Sequence, residues 1–360
     1  GNTGRTHPSM AAARPTIAYL IEPRFPGGTS AAVAQELAVA KTLGDVRVHA
    51  VSSAMYPGRA VAPVLEDALD RLGLSLIWDA PEISADAVIL HNPAFLKFDT
   101  ALATRVLTKH LIVVTHENFV RPGGAEGFDV RHCLDLIDRA SLALQKSLAP
   151  ISAHNRETVQ SWLSRHPQAR WGVLPEDWHN ICDFELTAPT DTPRDRRGRH
   201  SRPGFEKFPS LDVLDACFPA TAEANVLLGA DLLLPDGSIR PHWTMFPFQG
   251  VEVERYFEMI DFMVYFTGST WRESFGRVLA EGIAAGKLVI SDPQTAATFH
   301  GAVVEASPDQ VDGIIAGSLR EPARYVADVT RAQEALGRFA PTSFRDVLGR
   351  ALWMDAQGAA

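Results

Sequence analysis

Cysteine is scarce in this chain. Cys133, Cys182 and Cys217 are the only three in 360 residues; they lie far apart and form no C-x-x-C pair. That excludes a cysteine-built metal site and a disulfide framework, and it fits a reducing cytosol. No apolar run approaches the roughly 18 residues that a membrane span requires. A surplus of lysine and arginine is also missing. The net charge of -9 removes the electrostatic footprint of a nucleic-acid binder, although residues 194–202 are locally basic. Residues 1–10 are polar and lack the apolar centre of an export signal. They are expected to be an expression remnant ahead of a native Met and are set aside from the fold. What remains, 46% hydrophobic and 21% charged, has the composition of a soluble globular protein, long enough for two domains.

The most informative stretch is 271–291. Phe275, Val278, Leu279, Gly282 and Ile283 recur at the spacing of one helix face, Gly286 sits where a helix stops in a left-handed residue, and 288–290 read as a strand. Residues 261–266 form an earlier apolar run. Strand, crossover helix, strand implies a parallel sheet. Glu273 then stands just ahead of the helix, above the carboxyl end of the first strand, where open parallel sheets bind ligands. Glu281 follows eight residues later, roughly 12 Å further along a helix. That separation suits an extended ligand with an anion held at the amides of Ser274, Phe275, Gly276 and Arg277.

Earlier in the chain, 16–22 read as a strand leading through Gly27 and Gly28 into a helix over 31–43, whose inward residues are Val33, Leu37, Ala40 and Leu43. Strands at 46–52, 86–90, 111–115, 147–151 and 170–174 alternate with helices at 63–72, 129–142 and a Ser152-capped helix to 163. Two of these strands deliver a histidine at their carboxyl ends, His91 and His116. Residues 178–195 show no periodicity, are punctuated by Pro189 and Pro193, and read as a linker. Beyond it, Gly198, Arg199, Arg202 and Lys207 form a cationic group suited to a diphosphate. Strands at 225–228 and 243–248 flank a polar turn at 235–238, followed by a helix at 253–259, a short strand within 299–306, and helices at 321–339 and 342–353.

The run Glu273-Ser274-Phe275-Gly276-Arg277-Val278-Leu279-Ala280-Glu281, with Gly286 and Val289-Ile290, resembles the E-x7-E signature of retaining GT-B glycosyltransferases of the family-four-like type. The resemblance implies an α/β chain with two Rossmann-like domains facing across a cleft: an acceptor domain at 11–177, a linker at 178–195, a donor domain at 196–340, and a C-terminal helix at 341–360 crossing back. It implies that Glu273 contacts the donor sugar and Glu281 the donor ribose. Gly27 and Gly28 match the family's glycine-rich loop, but Thr29 and Ser30 replace the basic residue that often follows. His116-Glu117 resembles a His-Asp pair whose histidine lies near the donor sugar. Arg199 and Lys207 match the two cations on the diphosphate, with Arg202 a rival for either role because of the insertion at Pro203 and Gly204. Residues 246–250 become candidates for the nucleobase.

The implied reaction is hexosyl transfer from a nucleotide sugar, UDP- or GDP-linked, to an acceptor hydroxyl with retention, in polysaccharide or glycoconjugate assembly. No D-x-D triplet occurs. Arg199, Lys207 and the helix N-terminus are therefore expected to replace a metal, with no cofactor beyond the donor. Glycan, lipid-linked and protein acceptors all stay open, as do oligomeric state and a peripheral association with the inner face of the membrane in an otherwise cytoplasmic protein. A nucleotide-sugar epimerase, a phosphorylase and a non-catalytic sugar-nucleotide or glycan binder share the pattern. A periplasmic sugar-binding protein would also have two α/β lobes, but lacks support without an export signal.

Overall fold

The structure is a computed structural model describing residues 14–25, 27–234 and 240–357; the leader 1–10 and the turn 235–238 lie outside the described residues. Most strands are followed by a helix, so their backbone groups are satisfied by parallel neighbours, and two all-parallel sheets result. The first contains β1 (Thr16–Ile21), β2 (Asp45–Ala50), β3 (Leu76–Trp78), β4 (Glu82–His91), β5 (Arg105–Thr115), β6 (Ser141–Pro150) and β7 (Gly172–Val173), in the order β3-β2-β1-β4-β5-β6-β7. The second contains β8 (Arg196–His200), β9 (Ala224–Leu228), β10 (Thr244–Phe246), β11 (Phe262–Tyr265), β12 (Leu288–Ser291) and β13 (Val304–Glu305), in the order β10-β9-β8-β11-β12-β13. Both are Rossmann orders within an α/β fold. Each changes direction beside its first strand, between β1 and β4 and between β8 and β11, and leaves a crevice at the carboxyl ends.

Three departures from the sequence reading have physical causes. The helix expected over 129–142 ends at Ala140, and β6 starts at the next residue because Ser141 and Leu142 pair with Val106 and Leu107 of β5. Leu142 and Leu144, two residues apart and so on one face of the strand, stand exposed. The second departure is β8, which the sequence reading took into a cationic group without assigning it a strand. It is a central strand, two of whose arginines are paired with carboxylates: Arg196 meets Asp261 through two hydrogen bonds of 2.9 and 3.0 Å, and Arg197 reaches Asp195 and Asp312 at 2.7 Å each. Buried charges persist in a sheet when paired in this way.

The third concerns 178–195. This segment has no helix or strand, yet Trp178, Ile181 and Cys182 are buried. Trp178 reaches into the first unit and packs edge-on against Phe344 of helix Pro341–Gln357, ring centroids 5.4 Å apart. That helix lies against helix Gly28–Lys41, and Arg345 donates to Thr42 Oγ1 at 3.0 Å. The Cys182 N–H donates to Phe339 O at 2.8 Å, joining the segment to the chain just ahead of the same helix.

Glu22, at the end of β1, positions the loop toward the first crevice. Its carboxylate accepts from Arg24 Nε at 2.8 Å and from Ser53 N and Oγ at 2.9 and 2.6 Å. Burial alone would raise its pKa; the bonds from Arg24 and Ser53 outweigh that and hold it below the usual carboxylate value. The resulting stabilisation is complete above the unfolded value of about 4.3 and disappears as pH falls through the folded one. Glu22→Gln is therefore expected to cost about 1–3 kcal/mol at neutral pH and to flatten the acid limb of a stability curve measured by urea unfolding.

Candidate active site

The floor of the site grows from the loop after β11. The Tyr265 hydroxyl donates to Glu273 Oε1 at 2.5 Å, and Lys207 Nζ stands 3.7 Å from the same oxygen, over the Trp271 ring at 5.3 Å. Burial and the adjacent Glu273 push the Tyr265 phenol well above its usual pKa, so it stays a donor. The chain enters helix Arg277–Ala284 through Gly276, whose φ of 96° favours glycine. Phe275 and Glu273 thus precede the helix, and a helical rise does not measure the spacing of Glu273 and Glu281. Phe275 is 2% exposed and packs on Phe299 and Phe339; its ring belongs to the core and its backbone to the site. Glu281, inside the helix, has Arg277 Nε at 3.6 Å; burial raises its pKa and Arg277 opposes that rise.

The opposite wall carries Gly27, Gly28, His116, Glu117 and Arg121, and with the floor it encloses a cavity of about 1750 Å³. Gly27 has φ 99°, and a Cβ built there would lie 2.3 Å from Nη1 of Arg202, which reaches over from the second unit. Three hydrogen bonds bridge the units beside the cavity. Ser152 Oγ donates to Ser274 O at 2.6 Å, Asn118 Nδ2 to Arg272 O at 3.1 Å, and Arg121 Nη1 to Glu206 Oε1 at 2.6 Å. The structure thus brings together Gly27, Gly28, His116, Arg202, Lys207, Glu273, Ser274, Gly276, Arg277 and Glu281.

Arg199 is the exception. It is 1% exposed, donates to Ser201 Oγ at 2.8 Å, Phe266 O at 3.1 Å and Lys207 O, and lies over the Phe208 and Tyr265 rings. Strand alternation in β8 turns it into the sheet, beneath the layer that faces the cavity. Arg202, past the end of the strand, borders the cavity instead. Burial, reinforced by Arg199 and Lys207, pushes His200 down to about 4, leaving it neutral beside these cations.

Behind His116 and His91 lies a buried carboxylate that the sequence reading passed over. Glu36 is 2% exposed; its Oε1 accepts from Trp178 Nε1 at 2.6 Å, and its Oε2 from Tyr19 OH at 3.1 Å. His91 Nε2 meets Oε2 at 2.9 Å, and His91 Nδ1 meets His116 Nε2 at 2.7 Å. Burial and then His91 hold the His116 pKa well below its usual value. Glu36 sits three residues after Val33 and next to Leu37, so its place on the buried helix face was legible. Tyr265, Arg121 and Asn118 had no comparable signal, because their roles depend on which loops the two sheets bring together.

No protein-family model and no curated protein sequence matches the chain. Solved structures do. Anabaena HepE in complex with UDP and glucose superposes with a TM-score of 0.62 at 15% identity, covering 94% of this chain and 99% of that one. Sucrose-phosphate synthase from Thermosynechococcus elongatus gives 0.61 at 13%, covering 96% and 100%. The lipopolysaccharide outer core galactosyltransferase WaaB gives 0.59 at 12%, covering 94% and 99%. With similarity running through nearly the whole of each chain, the two facing Rossmann-like units form the GT-B fold of glycosyltransferases.

Proposed function

We propose that this chain is a metal-independent retaining glycosyltransferase that moves a hexosyl group from a nucleoside-diphosphate sugar to an acceptor hydroxyl. The reading is carried by one observation: Glu273, with Lys207 and Tyr265 on its carboxylate, and Glu281 flank the start of one helix on the floor of an interdomain cavity. Glu281 accepts the ribose hydroxyls and Glu273 orients the sugar. The backbone N–H groups of residues 274–277, with Lys207 and Arg202, surround the diphosphate. The neighbours' UDP and glucose support a UDP-linked donor, with the base near Phe248 and Gln249, which border the same cavity.

In the reaction the acceptor oxygen bonds to the anomeric carbon as that carbon's bond to the phosphate oxygen breaks. The hydroxyl proton passes to the departing phosphate oxygen, and the negative charge remaining on the diphosphate faces Lys207 and Arg202. Closure of the two units keeps water from competing. The acceptor enters from the side of the first unit, as part of a glycan, a lipid-linked sugar or a protein.

Calorimetry with UDP, GDP, ADP and dTDP in the presence of EDTA tests this reading. Micromolar binding of one nucleotide is expected; binding of none would overturn it. Glu281→Ala is expected to weaken binding of that nucleotide about tenfold, since a ribose hydroxyl loses a charged acceptor.

A further inference from the structure

We propose that Glu36 and His91 are positioning residues that fix the tautomer of His116, so that His116 presents a bare Nδ1, a hydrogen-bond acceptor, to a hydroxyl of the bound sugar. The identity of that ligand rests on the glycosyltransferase reading; the tautomer does not. The argument starts at Trp178, whose indole N–H can only donate. Glu36 Oε1 is therefore an acceptor, and the Tyr19 hydroxyl and His91 converge on Oε2. A carboxylate accepts only, so His91 carries its proton on Nε2. In a neutral His91 ring, Nδ1 is then a lone pair. The 2.7 Å contact from that atom to His116 Nε2 requires the proton to be on His116. Neutral His116 keeps one ring proton, and Nε2 holds it. Nδ1 is the nitrogen left for the occupant of the cavity, which His116 borders.

The chain has a direction, and one atom sets it. In Glu36→Gln, the Trp178 N–H holds the amide oxygen at the Oε1 position, which places the amide NH₂ at the Oε2 position. That group donates to His91 Nε2. The proton of His91 must then sit on Nδ1 and donate to His116 Nε2, and the proton of His116 moves to Nδ1. One oxygen exchanged for nitrogen, two residues behind the cavity, converts the group facing the sugar from acceptor to donor. Size and packing are nearly unchanged, so a merely structural role for Glu36 does not produce this effect.

The test combines two readouts on the full-length protein. Long-range ¹H–¹⁵N spectra of histidine-labelled protein, with His116→Asn for assignment, are expected to show His116 protonated on Nε2 in the wild type and on Nδ1 in Glu36→Gln. Wild-type protein protonated on Nδ1, or a tautomer indifferent to the substitution, would overturn the proposal, and the wild-type spectrum decides even where the variant folds poorly. Calorimetry with UDP and UDP-glucose is the second readout. Glu36→Gln is expected to leave UDP affinity within twofold and to weaken UDP-glucose about tenfold; an equal change for both ligands would place the effect elsewhere than the sugar. Should the wild type bind neither ligand, the glycosyltransferase reading fails while the spectra still decide the tautomer.

Discussion

Lys207→Ala is expected to lower kcat by about two to three orders of magnitude, the loss seen when a preorganised charge facing a developing anion is removed. Lys207 stands 3.7 Å from Glu273 and over Trp271, held by groups that leave its ammonium beside the cavity. On the proposed reading its removal subtracts a cation from the diphosphate, and it leaves the Glu273 carboxylate without its ion-pair partner. Lys207→Arg should recover only part of the rate, because a planar fork does not occupy the position of a point charge. Arg199→Ala serves as the contrast. Arg199 is enclosed by carbonyl groups and rings, so its loss should appear first as a lower unfolding midpoint. Saturating kinetics beside thermal melts separate the two; wild-type turnover in Lys207→Ala would remove Lys207 from the chemistry.

Trp178→Ala is expected to destabilise the protein by about 3–5 kcal/mol, the range for truncating a buried aromatic residue. The indole is 1% exposed, packs on Phe344 and donates to Glu36 at 2.6 Å. Truncation opens a cavity where the segment after β7 meets the C-terminal helix and removes a donor from a buried carboxylate. Trp178→Phe keeps most of the packing and loses the N–H, for about 1–3 kcal/mol. Urea unfolding of the three proteins would check the order. A loss under 1 kcal/mol for Trp178→Ala would mean that 178–195 is a tether rather than part of the core.

Much of this architecture could be read from periodicity. The run from β11 to β12 announced a strand, helix and strand, because apolar spacing and the left-handed stop at Gly286 are local properties, whereas the left-handed entry at Gly276 was not foreseen. Residues 63–72 form the helix expected there. Strand β8 was hidden for the opposite reason. Its sequence, Arg196 to His200, has no apolar alternation, and its burial depends on Asp195, Asp261 and Asp312, of which the last two come from distant segments. Arg199 and Arg202 illustrate the same limit within the site. Both are arginines three residues apart, and only the end of β8 determines that one turns inward while the other reaches Gly27. Glu36 looked like one charged residue on a helix; its importance comes from Tyr19, His91 and Trp178, which lie on three other segments.

The polypeptide passes between its halves twice, and the Cys182 to Phe339 hydrogen bond clamps the two passages side by side. Sliding the halves along each other would pull Trp178 from its buried seat against Phe344 and Glu36. Every swing that widens the mouth strains the bonds from Ser152, Asn118 and Arg121 together. Three individually modest bonds thereby become one cooperative latch across the mouth of the cavity, since opening it breaks them together.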